Sequence, residues 1–258
     1  MAANGVLVTR PAGQGDALCK ALAGRGWRAY PLPLLALQPL AQLPAAERQR
    51  VLALAEFDHV IFISANAVRF GMAVIENYWP QLPVGLHWYA VGTGTARALA
   101  GYGISAQVPE REMTSEGLLA LPGLQQVAGA RILIVKGVGG RSTLLDALGA
   151  RGARAETLAC YRRCPPEMRP GELAAAVERW QIGVIMISSG EGLENMLALL
   201  DRAETSKLQA LTLLLPSARV AAMARAAGFR HITVAENASD EAMLRAFEQW
   251  CLGAGDKL

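Results

Sequence analysis

The sequence predicts an α/β protein built from parallel β-sheets, arranged as two domains of about five strands each. Three observations lead there. Apolar strands and amphipathic helices alternate from end to end, the pattern of parallel units covered on both faces. Most strands run into a short polar or glycine-rich turn before the next helix. The chain also repeats itself. Leu7-Val8-Thr9-Arg10 leads to Ala21-Leu22-Ala23-Gly24-Arg25-Gly26-Trp27-Arg28-Ala29, and Leu133-Ile134-Val135-Lys136 leads in the same register to Ala147-Leu148-Gly149-Ala150-Arg151-Gly152-Ala153-Arg154-Ala155. Val60-Ile61-Phe62-Ile63-Ser64 resembles Val184-Ile185-Met186-Ile187-Ser188, and Ala90-Val91-Gly92-Thr93 resembles Leu214-Leu215-Pro216-Ser217. An offset of about 125 residues is far longer than a solenoid period, so this is a duplicated domain.

Residues 5–9 read as a buried strand and 16–24 as an amphipathic helix closed by glycine. The next strand is 27–30. Pro31, Pro33, Pro39 and Pro44 then interrupt the pattern and mark a crossing segment. Residues 45–56 are helical. Strands follow near 59–63, 87–91, 105–108, 131–135 and 154–161, with helices between them. Cys164-Pro165-Pro166 makes a second break before a helix at 172–180. Strands near 183–187, 211–215 and 231–235 precede a last helix over 240–250, capped by Ser239. The duplication alone places a cut near residue 125. The proline breaks instead isolate a middle block, about 36 to 165, from two flanks that pair with each other. Periodicity does not choose between them.

The chain has 258 residues, 52% hydrophobic and 18% charged, which suits two ordinary cores and excludes a disordered chain. A net charge of +3 with scattered basic residues argues against a dedicated nucleic-acid binder. Several of those residues follow strands or sit in turns: Arg10, Arg69, Arg97, Lys136, Arg141, Arg162 and Arg219. Cys19, Cys160, Cys164 and Cys251 form no CxxC pair, so zinc is not expected. Cys19 and Cys251 fall on predicted helices as small buried hydrophobes. No basic segment followed by a long apolar run opens the chain, and no apolar run reaches membrane-spanning length. A cytoplasmic location is the expectation.

In open parallel sheets, ligands bind outside the carboxyl ends of the strands. His59, His87 and His231 stand at the starts of predicted strands, the opposite edge, so a histidine base or triad is not expected. No GxGxxG follows a strand and no GxxxxGK[ST] is present. Gly137-Val138-Gly139-Gly140 and Gly92-Thr93-Gly94-Thr95 fit neither nucleotide motif. The turns offer hydroxyls instead: Thr9, Ser64, Thr93, Thr95, Ser188, Ser189 and Ser217, where helices begin. Each is an ordinary capping residue. Facing one cleft as a set, with helix N–H groups behind them, they suit carboxylates or phosphates. Tyr161 breaks the internal symmetry, since its counterpart in the first copy is about Leu35. A tyrosine phenol at a domain junction can donate a hydrogen bond to a leaving oxygen.

Together these features resemble the uroporphyrinogen-III synthase family over nearly the whole chain. The resemblance rests on Val6-Leu7-Val8-Thr9-Arg10-Pro11, Phe62-Ile63-Ser64-Ala65-Asn66-Ala67-Val68 and Ala90-Val91-Gly92-Thr93-Gly94-Thr95-Ala96. It continues through Glu156-Thr157-Leu158-Ala159-Cys160-Tyr161-Arg162, Ile187-Ser188-Ser189-Gly190 and Pro216-Ser217-Ala218-Arg219. It implies two flavodoxin-like parallel-sheet domains, 1–35 plus 166–258 and 36–165, joined by a two-stranded linker ladder. It implies a cofactor-free, metal-free hydro-lyase of haem and other tetrapyrrole biosynthesis, acting on hydroxymethylbilane, a linear tetrapyrrole with eight carboxylates. In the family's proposed mechanism, loss of the terminal hydroxyl gives an azafulvene. The last pyrrole attacks through its substituted carbon, and a spiro intermediate recloses with ring D inverted. Tyr161 matches the family tyrosine thought to assist hydroxyl loss. Thr9, Arg10, Ser64, Asn66, Thr93, Thr95, Lys136, Gly137, Ser188, Ser189 and Ser217 are the candidate substrate contacts, with serine at 217 where the family commonly has threonine. A monomer in transient contact with the preceding pathway enzyme, and no nucleic-acid or membrane partner, complete what the resemblance implies. The alternative is a non-catalytic two-domain binding protein for an anionic small molecule. A nucleotide-sugar transferase or nucleotide-dependent oxidoreductase is disfavoured by the missing phosphate fingerprint.

Overall fold

The computed structural model describes residues 5–110 and 112–255. The strands are β1 (Gly5–Val8), β2 (Arg28–Pro31), β3 (Ala36–Pro39), β4 (His59–Phe62), β5 (His87–Ala90), β6 (Arg131–Gly137), β7 (Arg154–Cys164), β8 (Ile182–Met186), β9 (Thr212–Leu215) and β10 (Ile232–Val234). The helices are α1 (Asp16–Ala23), α2 (Ala45–Leu52), α3 (Ala65–Glu76), α4 (Thr93–Ala100), α5 (Ser115–Leu119), α6 (Thr143–Ala150), α7 (Glu172–Arg179), α8 (Gly190–Ala198), α9 (Arg202–Leu208), α10 (Ala218–Ala226) and α11 (Asp240–Gly255). The chain divides into two compact units. One holds the chain up to Ala36 and from Cys164 onward, the other Leu37–Arg163.

The first unit is a sheet in the order β10-β9-β8-β1-β2, with every pairing parallel. Counted along the unit this is the flavodoxin-like order 2-1-3-4-5. Its central strands are apolar on both faces, as a sheet covered twice requires. Leu7, Ile185, Leu213 and Leu215 pack into one layer, and Val6, Val8, Val184, Met186 and Leu214 into the other. Each such side chain, fully buried, contributes about 1.5–3 kcal/mol.

The second unit is a sheet in the order β3-β7-β6-β4-β5. The pairings of β4 with β5, β4 with β6 and β6 with β7 are parallel. The β3 edge runs the other way. The backbone N–H of Leu40 donates to the Cys160 carbonyl at 3.2 Å, and the Cys164 thiol to the Ala36 carbonyl at 3.7 Å, so rising numbers meet falling ones. Val60, Phe62, Leu133 and Val135 face one layer; Ile61, Tyr89, Ile132 and Ile134 face the other.

Strands equated by the sequence repeat occupy equivalent places: β1 with β6, β2 with β7, β8 with β4 and β9 with β5. The repeat extends to turn chemistry. Gly26 and Gly152 are matched positions, and both take a left-handed φ, +83° and +82°, just past a helix, where a side chain is strained. The counterpart of β10 in the second unit shrinks to one parallel bridge, Tyr89 with Gln107, where a full strand at 105–108 is expected from the sequence. The helix expected over 45–56 stops at Leu52, and Leu54–Glu56 tightens into a 3₁₀ turn. Strand β3 lies inside the segment that reads as proline-broken. Its Pro39 is tolerated because β3 is an edge, where a missing N–H costs no ladder bond. Among the described residues, no helix is long and apolar enough to cross a membrane.

Candidate active site

In the second unit the strands β4, β6 and β7 deliver Ser64, Lys136, Gly137 and Tyr161 to the carboxyl edge of one sheet. Ser64 has extended backbone and caps α3, its Oγ accepting the Ala67 N–H at 3.0 Å. The first N–H groups of such a helix have no partner within it and carry partial positive charge. Asn66 lies half-buried in that first turn.

Tyr161 reaches the same helix terminus through an irregularity. Lys136 pairs with Ala159 but Gly137 pairs with Tyr161, so β7 gains one residue at Cys160. Without it, alternation would put Tyr161 on the face opposite Leu158 and Cys160. With it, all three join one core cluster. The Tyr161 ring stacks on Phe70 with centroids 4.9 Å apart and planes at 24°. It also covers Gly137, where an added Cβ would lie 2.8 Å from the ring. The hydroxyl comes to 3.4 Å from Ser64 Oγ. The Arg69 guanidinium sits 4.8 Å over Phe70. A phenol donor and a helix N-terminus therefore meet within one rigid unit.

Two expectations about α4 need correction. Gly92, not Thr93, is its cap, because the strand-to-helix turn is already complete there. Thr93 is exposed and donates to Met113 Sδ at 3.9 Å; Thr95 lies one turn inside the helix and is buried. Lys136 Nζ donates to the Arg141 carbonyl at 3.3 Å.

In the first unit, Thr9 is buried and its hydroxyl donates to the Met186 carbonyl at 2.8 Å. It caps no helix, since α1 starts later with Gly15 as its cap; its hydroxyl is spent joining β1 to β8. Arg10 is likewise engaged, 2.7 Å from Asp240 and donating to the Ala238 carbonyl at the start of α11. Ser189 and Ser217 are true caps, accepting from Gly192 at 3.0 Å and Val220 at 3.4 Å. Ser188, half-buried, precedes the first of them. The Arg219 guanidinium covers Gly190, 3.2 Å from where a Cβ would stand, which brings a cation to the start of α8.

His59 and His87 stack at 5.4 Å at the amino edge of the second sheet. Burial, with Glu47 adding to it, pushes the Cys160 thiol up to about 12, so it is no nucleophile. Cys19 and Cys251 are half-buried rather than buried, and burial first, then nearby carboxylates, raises both thiols. Among the described residues, no three His, Cys, Asp or Glu side chains gather to hold a metal. Phe70, Arg141 and Arg163 were not among the candidate substrate contacts. The signal for Phe70 was its helical spacing from Ser64, and for Arg141 its place directly after the glycine-rich run.

The family model described as uroporphyrinogen-III synthase HemD matches residues 16–245. The uroporphyrinogen-III synthase of Escherichia coli K12 is 36% identical over 250 residues, covering 94% of this chain and 99% of that protein. The Salmonella typhimurium LT2 enzyme of that name is 35% identical over 245 residues, with the same coverage. Among solved structures, a uroporphyrinogen-III synthetase from Helicobacter pylori 26695 matches with TM-score 0.61 at 14% identity, covering 96% of this chain and 99% of that one. A mutant uroporphyrinogen III synthase from Thermus thermophilus matches with TM-score 0.56 at 22% identity, covering 95% and 97%. These likenesses concern the fold. By sequence, the chain belongs to the uroporphyrinogen-III synthase family, a family of lyases.

Proposed function

We propose that this protein converts hydroxymethylbilane to uroporphyrinogen III, with Tyr161 as the proton donor to the departing hydroxyl. The observation that carries the reading is the Tyr161 phenol, swung by the extra residue in β7 to 3.4 Å from the cap of α3. As the C–O bond breaks, the phenol gives its proton to the leaving oxygen and water departs. The pyrrole nitrogen supplies the electron pair, forming the azafulvene. The last pyrrole attacks that carbon through its substituted carbon to form the spiro intermediate. The bond from the substituted carbon to its old methylene bridge then breaks, leaving an azafulvene on the third ring. The free α-carbon of the last pyrrole closes onto that methylene, and its proton, lost on rearomatisation, restores the phenol. Water is the only by-product. Developing negative charge on the phenol oxygen is stabilised by the α3 N-terminus beside it. Within the same unit, a substrate carboxylate is received by the helix N–H groups at the start of α3, beside Ser64. Free hydroxymethylbilane closes unaided to the uninverted isomer, so the larger task is holding the chain bent for attack at the substituted carbon. Positioning of that kind is worth several kcal/mol.

The test is substrate consumption. The purified protein, chelated exhaustively and given no nucleotide, is expected to consume freshly made hydroxymethylbilane faster than buffer alone. Folded protein that leaves the rate at the buffer value refutes the proposal.

A further inference from the structure

A cavity of about 460 Å³ opens at the carboxyl edge of the second unit's sheet, within the size range of small-molecule sites. Its floor is apolar: Ile63, Val91, Ile134, Leu144 and Leu145. Its rim is cationic, formed by Lys136, Arg141 and Arg163. Lys136 arrives there because it continues the Ile132–Ile134 face of β6 one step beyond the packed layer. Among the described residues, Lys136 has no carboxylate partner; its Nζ touches only the Arg141 carbonyl. Glu116 lies near Arg141. Its carboxyl is held below the usual range by its own N–H first, then by the Thr114 hydroxyl, and last by Arg141. Half-exposed apolar side chains stand close by: Met113 in the lining, 50% exposed, and Val138, 53% exposed, two residues past Lys136. An apolar floor under a cationic rim matches a small aromatic ring bearing carboxylates.

We infer that this cavity seats one pyrrole ring of the substrate, with Lys136 and Arg141 receiving its acetate and propionate groups. The inference rests on the reading of the substrate given above; it adds to it a subsite, a further residue in Arg141, and a specific partner for Lys136, already a candidate contact. The site is separate from the proton donor. The extra residue at Cys160 turns Tyr161 to the opposite face of the sheet, into the cluster of Phe62 and Val135, whereas the cavity lies on the Ile61–Ile134 face. Lys136 and Arg141 therefore act on binding, not on proton transfer. They hold the ring equally in the ground state and the transition state, and their removal is expected to raise KM and spare kcat.

The experiment titrates the intact protein with a single pyrrole carrying one acetate and one propionate, followed by methyl NMR. The expected result is saturable shifts at Ile63, Val91, Ile134, Leu144 and Leu145, with methyls such as Leu193 in the first unit unmoved. The double variant Lys136→Gln, Arg141→Gln is expected to weaken that binding tenfold or more. With hydroxymethylbilane it should raise KM by a similar factor, with kcat within about twofold and the product isomer unchanged. Lys136→Arg, which keeps the charge, should restore most of the affinity. Shifts confined to other methyls, or a double variant that binds as tightly as the parent, overturn the inference. A fall in kcat at unchanged KM overturns it too. If the pyrrole binds here but hydroxymethylbilane is not consumed, the subsite stands and the proposed reaction falls. If hydroxymethylbilane is consumed and the pyrrole shifts nothing here, only the subsite falls.

Discussion

Replacing Tyr161 with phenylalanine removes one hydroxyl and leaves the ring in place. The stack on Phe70 and the contact with Gly137 are unchanged, and Ser64 Oγ keeps the Ala67 N–H at 3.0 Å. The lost contact is long, 3.4 Å, so stability should change by less than about 1 kcal/mol. Turnover should change more. General acids typically contribute about a hundredfold or more, and water lodged beside Ser64 and the α3 terminus can replace part of that. The expected loss is roughly ten- to a hundredfold, or about 1.4–2.7 kcal/mol of transition-state stabilisation. Single-turnover rates on fresh hydroxymethylbilane measure it, with Tm as the control for folding. Full activity in Tyr161→Phe, beside abolished activity in Ser64→Ala, would refute the role assigned to the phenol.

Gly137→Ala tests the same site from below. Its new Cβ would stand 2.8 Å from the Tyr161 ring, so the ring must shift, lowering stability by about 1–3 kcal/mol and turnover along with it; parental turnover would show that ring placement does not matter. Thr9→Val should cost about 1 kcal/mol in urea unfolding and leave kcat alone, because the Thr9 hydroxyl serves the Met186 carbonyl. A tenfold rate loss at parental stability would return Thr9 to the active site. For pH, burial first and His87 second lower the pKa of His59 below its ordinary 6.5, with Asp58 opposing. The folded protein thus resists protonation there. The stability linked to His59 is complete above pH 6.5 and is lost as pH falls from 6.5 toward the depressed folded value, then levels off. His59→Phe should flatten that part of the unfolding profile, and an unchanged slope would contradict the assignment.

The sheets were legible in the sequence because buried parallel strands write continuous apolar runs, and because the repeat kept even Gly26 and Gly152 in place. Helix α9 was not, since Arg202–Leu208 is mostly polar and carries little apolar periodicity. Its clue was local, the reciprocal cap between Asp201 and Glu204. At the site, Ser64, Ser189 and Ser217 were readable as caps because each directly precedes its helix. Thr9 and Thr93 misled for the same reason inverted, since a hydroxyl after a strand is a cap only when the helix starts at the next residue. Tyr161 stood out by its break in the internal symmetry, but the face it takes was hidden. One extra residue in β7 reverses it, and no period in the sequence marks that residue. The charge on Arg10 looked available until Asp240, 230 residues away in sequence, was brought beside it by the fold.

The most direct measurement is the isomer formed in a single turnover. Folded protein in excess is mixed with freshly made hydroxymethylbilane, the product is oxidised, and the porphyrin isomers are separated. Type III alone, formed faster than the spontaneous reaction, is the expected result. Type I alone, formed at the rate seen in buffer, would contradict the assignment of this chain as the catalyst of ring inversion.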